Sequence, residues 1–311
     1  MSPLRLGTRG SKLALAQAHR LKADLTQLHS DLEVEIVTVR TSGDQGNRER
    51  LGAFVREIQE ALLENRVDVA LHCLKDLPTQ EIPGLELSAY LEREDAADTI
   101  ITRGTDWRDL PEGSTIGTGS VRRTSQLAFH RPDLKFKPLV GNVDTRLRKL
   151  QEGEYDAIVL AIAGLKRLGA LETWQESEYR SLCVEPLGDD VMLPAPGQAI
   201  LVLETRSGDG GSQDWIRGLH HPDTKRCAVA ERSFLQAFGG GCSVPIAAKA
   251  TIANGELNLS GLVAAPDGSK ILRGQQSGAV EEAEAIGASL AEHLSANGAR
   301  DLFQVVIRED A

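Results

Sequence analysis

Cysteine is scarce and scattered in this 311-residue chain: Cys73, Cys183, Cys227 and Cys242 form no C-x-x-C pair. That spacing argues against a secreted disulfide framework and against a thiolate zinc site, so a small buried hydrophobe is the default role of each thiol and no metal is expected. No run approaches the roughly 18 consecutive apolar residues needed to span a bilayer. The N-terminus, Met-Ser-Pro-Leu-Arg-Leu-Gly-Thr-Arg, has no apolar core that could serve as a signal peptide. Basic charge is not in excess either. The 35 Lys and Arg stand against 45 Asp and Glu, a net charge of −10, which argues against the basic surface on which nonspecific nucleic-acid binding depends. The expectation is a cytoplasmic protein without a nucleic-acid or membrane partner. A nucleotide phosphate loop is disfavoured, because Gly117-x-Gly119 lacks the third glycine of G-x-G-x-x-G and no Walker Gly-Lys-Ser/Thr occurs.

What is present is an alternation of strand-like and helix-like patterns. The spacing predicts an apolar start at Leu4 to Gly7, a helix capped by Ser11 and running to about Leu28, and a strand over Leu32 to Val39. A glycine-bearing loop from Thr41 to Leu51 follows, then a helix near Ala53 to Asn65 and a buried strand at Val67 to Leu71. The alternation resumes with Thr115 to Gly117, a helix from about Ser120, a strand near Lys135 to Leu139, a helix from Val143 to Gln151 and a strand at Ala157 to Ala161. Such β-α-β units indicate parallel or mixed sheets covered by helices. Glu92 to Asp98 and Leu187 to Gly197 read as junctions, and Ser207 to Gln213 as a polar stretch. Beyond it, a helix (about Asp223 to Phe238), strands near Ile246 to Ile252, Leu257 to Ala264 and Ile271 to Gly274, and a helix from about Val280 to Ser295 suggest a small α+β domain. No internal repeat is visible in the sequence.

The informative feature is where the positive charge sits. From Met1 to Ala23 there are Arg5, Arg9, Lys12, Arg20 and Lys22 and no acid. Thr8-Arg9-Gly10-Ser11 falls at a strand end and helix start, where free N–H groups attract anions. Gly117-Thr118-Gly119-Ser120-Val121-Arg122-Arg123 repeats that arrangement, and Arg146 and Arg167 add cations near further strand ends. Ligands of open α/β sheets bind at the carboxyl ends of strands, so these arginines are expected to face one cleft and to hold carboxylates or phosphates. For an isolated arginine among them, pairing with a surface acid is the favoured reading, whereas for Arg122-Arg123, directly after a glycine-rich strand end, anion binding is favoured. His72-Cys73-Leu74-Lys75-Asp76 places an imidazole, a cation and a carboxylate at another strand end, where a solvated turn is the competing reading. In Gly239-Gly240-Gly241-Cys242-Ser243-Val244-Pro245 the thiol projects from an unencumbered turn, suited to a nucleophile or a covalent anchor.

Taken together these residues resemble the porphobilinogen deaminase (hydroxymethylbilane synthase) family from about Leu4 to Phe303. The motifs are Thr8-Arg9-x-Ser11-x-Leu13-Ala14-Leu15, His72-x-x-Lys75-Asp76, Gly117-Thr118-x-Ser120-x-Arg122-Arg123, Gly141-Asn142-Val143-x-Thr145-Arg146-Leu147, Ala163-Gly164-Leu165-x-Arg167 and Gly240-Gly241-Cys242-x-x-Pro245. The resemblance implies two doubly wound α/β domains of periplasmic-binding-protein-like type with a cleft between them, plus a small α+β C-terminal domain with a three-stranded antiparallel sheet. The implied boundaries are residues 1–92 with 193–212, then 97–189, then 218–311. It further implies a monomeric transferase of tetrapyrrole (haem, chlorophyll, cobalamin) biosynthesis that condenses four porphobilinogen molecules head to tail, releases ammonia, and frees hydroxymethylbilane, with hand-over to the next enzyme of the pathway. A dipyrromethane cofactor would be held as a thioether on Cys242. Asp76 matches the catalytic carboxylate. Lys75, Ser120, Arg122, Arg123 and Arg146 match cofactor contacts, and Arg9, Ser11, Gln17 and Arg167 match substrate contacts.

Four departures stand against the family pattern. Val140 replaces an arginine, the Gly43 to Phe54 loop is short, Ala199 replaces a glycine and Gly119 replaces a serine. Three rivals follow. One is a noncatalytic or altered-specificity relative that binds pyrrole carboxylates; another is a two-lobed binding protein for a small anion. The third is a cysteine hydrolase, which would need His72, His220 or His221 beside Cys242.

Overall fold

The computed structural model describes residues 2–41, 55–240 and 244–303. In chain order its regular elements are β1 (Leu4–Arg9), α1 (Lys12–Leu28), β2 (Val34–Val39), α2 (Arg56–Leu63), β3 (Val69–Cys73), β4 (Leu85–Tyr90), β5 (Asp98–Thr102), β6 (Thr115–Gly117), α3 (Val121–His130), β7 (Lys135–Lys137), α4 (Val143–Gln151), β8 (Ala157–Ala161), α5 (Ile162–Arg167), β9 (Cys183–Pro186), β10 (Leu201–Arg206), α6 (Gly210–Ile216), α7 (Pro222–Ala237), β11 (Ile246–Ala253), β12 (Glu256–Ala264), β13 (Ile271–Ala279) and α8 (Ala283–Ala296). The chain divides into two units, Met1–Glu94 with Ala199–Lys225, and Asp95–Gln198 with Arg226–Ala311.

In the first unit the strand order is β2-β1-β3-β10-β4. β1 runs parallel to β2 and β3, whereas β10 is antiparallel to β3 and β4. Residues alternate across a strand, so β3 feeds two cores. Val69 and Leu71 pack with Leu6, Leu21 and Leu25 beneath α1, while Ala70 joins Ile58, Ala61 and Leu62 of α2. A sheet covered on both faces needs nearly continuous apolar strands, which is how Val69 to Leu71 reads. Ser11 starts α1 as the sequence predicts: the Ala14 N–H donates to its Oγ at 3.3 Å.

The second unit repeats the same pattern of strand directions in the order β7-β6-β8-β5-β9. β6 is parallel to β7 and β8, and β5 is antiparallel to β8 and β9. Its other sheet, β11-β12-β13, is antiparallel throughout and is covered by α7 and α8 through Phe234, Ile286, Leu290 and Leu294. Gly287 permits the two helices to touch, because a Cβ there would stand 2.3 Å from the Ala230 carbonyl oxygen. This sheet rests on the rest of its unit through Lys249, whose Nζ donates to Asp189 Oδ2 at 2.7 Å, and through Arg273, which donates to the carbonyls of Asp189 and Asp190. The molecule is therefore mixed α/β with a small three-stranded antiparallel part, as expected.

The differences from the sequence reading are local. β4, β5 and β9 are additional strands, α6 begins within the stretch read only as polar, and β13 continues to Ala279. β5 is hidden in sequence because it opens on an acid, Asp98, at the end of a charged run, yet every residue of it is buried. Ala199 adopts φ +69°, a left-handed backbone that costs a residue with a Cβ about 1–2 kcal/mol. Ala199→Gly is therefore expected to stabilise the protein by about 0.5–1 kcal/mol after glycine's larger unfolded-state entropy is subtracted. The check is a higher denaturant midpoint at unchanged slope; a lower midpoint would remove the strain argument.

Candidate active site

In the first unit the residues singled out by sequence gather at the carboxyl ends of two adjacent parallel strands. β1 ends on Arg9, and Ser11 caps α1, a 17-residue helix with no acid in its first turn. β3 ends on Cys73 and runs directly into a single 3-10 turn, Leu74–Asp76. Leu74 is the buried pin of that turn, its N–H donating to the Ile200 carbonyl at 3.0 Å, and the Leu77 N–H closes the turn on Leu74 at 3.1 Å. Lys75 and Asp76 are thereby held half-buried at the strand end. Among the described residues no side chain hydrogen-bonds or ion-pairs with the Asp76 carboxylate. Gln17 is buried on α1, and its Oε1 accepts from the Cys73 thiol at 4.0 Å, which ties α1 to the strand that carries Asp76.

The second unit offers a matching set. β6 ends at Gly117, and Ser120 stands at the N-cap of α3 without a side-chain cap bond of its own. Arg122 and Arg123 occupy the first turn of that helix. Arg146 lies in α4, its backbone N–H bonded to the Asn142 carbonyl and its Nε donating to the Gly141 carbonyl at 2.8 Å. Arg167 closes α5, which follows β8, the parallel neighbour of β6. The positions of Ser120, Arg122, Arg123, Arg146 and Arg167 thus share one end of one sheet. Val140, where the family carries an arginine, is 51% exposed and supplies no charge there.

Arg122 and Arg123 are not surface cations. They are 5% and 8% exposed, and both turn toward Asp98, which is fully buried. Arg122 Nη1 lies 2.7 Å from Asp98 Oδ2, and Arg123 donates to Asp98 Oδ1 from Nε at 3.1 Å and Nη2 at 2.6 Å. Burial pushes the Asp98 carboxyl up, but the two guanidinium charges and their hydrogen bonds outweigh it and hold the group well below the ordinary carboxylate range. Arg122 is pulled down by burial, with Asp98 opposing. Gln198 completes the cluster, its Nε2 donating to Asp98 Oδ1 at 3.0 Å and to the Ala96 carbonyl at 2.7 Å. Next to it the Gly197 N–H donates to buried Glu231 of α7, whose other oxygen accepts from the Ala250 N–H.

Sequence reasoning did not single out Asp98, Gln198, Glu204 or Glu231. Asp98 lay in a run read as a junction, and the signal available was an acid directly preceding four residues, Thr-Ile-Ile-Thr, of strand character. Glu204 faces His72 in the first unit, with Nε2 and Oε2 3.1 Å apart, and Gln59 donates to its other oxygen at 3.0 Å. His72 is thus committed to a buried pair, His220 accepts from the Tyr90 N–H, and His221 accepts from the Thr224 N–H. Cys242, with Gly241 and Ser243, and the Gly43 to Phe54 loop lie outside the described residues. Gly239 and Gly240, at the end of α7, have φ of +96° and +65°. Among the described residues no cluster of His, Cys, Asp or Glu could hold a metal ion, and no helix is long and apolar enough to cross a membrane.

Two family models match the chain. Residues 4–214 match the porphobilinogen deaminase, dipyromethane cofactor binding domain, and residues 225–296 match the porphobilinogen deaminase C-terminal domain. The chain belongs to the porphobilinogen deaminase family. The matched N-terminal region is the family's dipyrromethane cofactor binding domain, and both groups of strand-end residues fall within it. Among solved structures, the chain is similar to YhfZ from Shigella flexneri at 16% identity, with 76% of this chain and 97% of that one covered and a TM-score of 0.37. It is also similar to the periplasmic VFT2 domain of Bordetella pertussis BvgS (16% identity, 68% and 84% covered, TM-score 0.42). A third is the putative sulfonate ABC transporter periplasmic protein SsuA from Methylobacillus flagellatus KT (11% identity, 75% and 67% covered, TM-score 0.37).

The buried Asp98–Arg122–Arg123 cluster gives a direct test of whether this porphobilinogen deaminase fold suits an acidic cofactor. Two guanidinium groups face one carboxylate, so the cluster carries one uncompensated positive charge, and burial makes such a charge costly without an anion. A dipyrromethane bears carboxylate side chains, and the residues fit it.

Proposed function

We propose that this protein is a hydroxymethylbilane synthase, joining four porphobilinogen molecules head to tail with release of ammonia and freeing the linear product by hydrolysis. The observation that carries the reading is Asp76: a half-buried carboxylate without a partner among the described residues, set by a pinned 3-10 turn at a strand end, with Lys75 beside it and Arg9 and Ser11 on the neighbouring strand end. Loss of ammonia leaves porphobilinogen as an electron-poor azafulvenium-like cation. A fixed carboxylate stabilises that developing positive charge far better than mobile water does. In this reading Asp76 also holds a pyrrole N–H and accepts or returns a proton.

The cations do the positioning. Each pyrrole brings two carboxylates, and Arg9, Lys75, Arg122, Arg123, Arg146 and Arg167, with Ser11, Gln17 and Ser120 as hydrogen-bonding partners, fix the acidic side chains so that reacting carbons meet in a limited set of orientations. When bound through Cys242, the dipyrromethane supplies an electron-rich pyrrole carbon as the starting nucleophile. Lys75, Ser120, Arg122, Arg123 and Arg146 would hold it. Three domains, 1–92 with 193–212, 97–189 and 218–311, a monomeric state, a cytoplasmic location and hand-over of product belong to the same reading.

Intact-protein mass spectrometry before and after porphobilinogen is added tests the proposal. The expected result is a dipyrromethane-sized adduct on Cys242 followed by stepwise pyrrole additions. A folded, cofactor-reconstituted preparation with an unmodified thiol and no additions would instead support a noncatalytic relative, the reading that Val140 favours.

A further inference from the structure

We propose that Asp98 is a positioning residue for the ligand-holding arginines: it fixes both guanidinium groups and leaves the side-on edge of Arg122 open for one ligand carboxylate. The inference rests on the function proposed above and assigns a role that the sequence motifs do not contain.

The two arginines use their donors differently. The parallel Nε and Nη2 donors of Arg123 both grip Asp98 Oδ1, and its Nη1 donates to the Val159 carbonyl at 3.0 Å, so its side-on fork is filled inside the protein and only the second protons of Nη1 and Nη2 are left for a ligand. Arg122 is held through one nitrogen alone. Its Nη1 ion-pairs with Asp98 Oδ2 at 2.7 Å without hydrogen-bond alignment, and donates to the Leu193 carbonyl at 2.8 Å and to Met192 Sδ at 3.4 Å. The Nε and Nη2 of Arg122 have no acceptor among the described residues. That edge is the fork that matches a carboxylate with two parallel hydrogen bonds. It belongs to the first turn of α3, whose N-cap Ser120 leaves its own hydroxyl uncommitted to the cap.

Charge leads to the same conclusion. The buried groups that meet here are the Asp98 carboxylate, the two guanidinium ions, the Gln198 amide and neutral carbonyls, a sum of one positive charge. One ligand carboxylate brings the cluster to neutrality, which a second would overshoot. Gln198 donates to the same Oδ1 that Arg123 grips and also to the Ala96 carbonyl, two residues before the start of β5. Asp98 therefore determines both where the open fork points and how much negative charge it accepts. An arginine side chain released from this grip has several rotamers to explore, and displacement of a positioning group by about 1 Å can cost about 100-fold in rate.

The test compares Asp98→Asn with wild type and with Leu182→Ala, a core truncation in a hydrophobic cluster of the same unit that includes neither Asp98 nor the two arginines. Each purified protein is incubated with porphobilinogen below its measured Tm, and covalent loading is followed by intact mass. Asp98→Asn should load about 10- to 100-fold more slowly than wild type, while Leu182→Ala, though less stable, should load at the wild-type rate. Wild-type loading by Asp98→Asn would overturn the proposal, as would losses of loading in both variants that simply follow their losses of stability. If wild type itself takes up no pyrrole, the proposed function fails, and the crystal structure of Asp98→Asn still decides the role of Asp98. An Arg122 guanidinium displaced from its wild-type place supports positioning; one that has not moved overturns it.

Discussion

Asp76→Ala is expected to lower kcat by about 10³-fold or more, the combined scale of losing electrostatic stabilisation and proton transfer at a reacting centre. The fold should survive, because the carboxylate is half-buried and has no partner among the described residues that would be left unsatisfied. The turn that carries it is held by Leu74 and by backbone bonds that alanine retains. Product formation from porphobilinogen and a thermal melt measure the two halves of the statement. A well-folded Asp76→Ala protein with ordinary turnover would refute the assigned role, and a melt lowered by many degrees would show that Asp76 is structural.

Cys242→Ser is expected to abolish stable covalent loading altogether. A thioether needs the thiolate as nucleophile, and a serine hydroxyl at ordinary pKa is a far weaker one. Intact mass should show the bare chain even after prolonged incubation with porphobilinogen, and turnover should fall with it, since intermediates would no longer be retained. A Cys242→Ser protein carrying the adduct would move the anchor to another residue. The flanking glycines do not make the cysteine reactive by themselves. They leave the backbone room to present it, and Gly239 and Gly240, both at positive φ, already show the chain leaving α7 in a conformation that residues with side chains rarely adopt.

The sequence showed the catalytic candidates because their signals are local. Ser11 caps α1 three residues before the N–H it bonds, α4 and β8 have the boundaries their patterns predict, and Asp76 follows its strand within one turn. Spacing, capping chemistry and apolar periodicity act over a few residues, so they are legible without a fold. The additional strand β5 was not, because a charged residue at its head masked the apolar run behind it.

What the amino-acid sequence determined alone is the family: an acidic chain that nonetheless places arginines at strand ends, one carboxylate after β3, and motifs shared with the porphobilinogen deaminases. What only the tertiary structure decided is which of those arginines are held, and by what. Asp98 lies 25 residues before Arg123, and Gln198 lies 100 residues beyond Asp98. Glu204 meets Gln59 across 145 residues. Such partners are chosen by strand register and by the cost of leaving a buried charge or dipole unmatched, and both are set only once the sheets have formed. An arginine after a glycine-rich strand end announces an anion; whether its fork is open or already filled depends on the carboxylate that folding brings beside it.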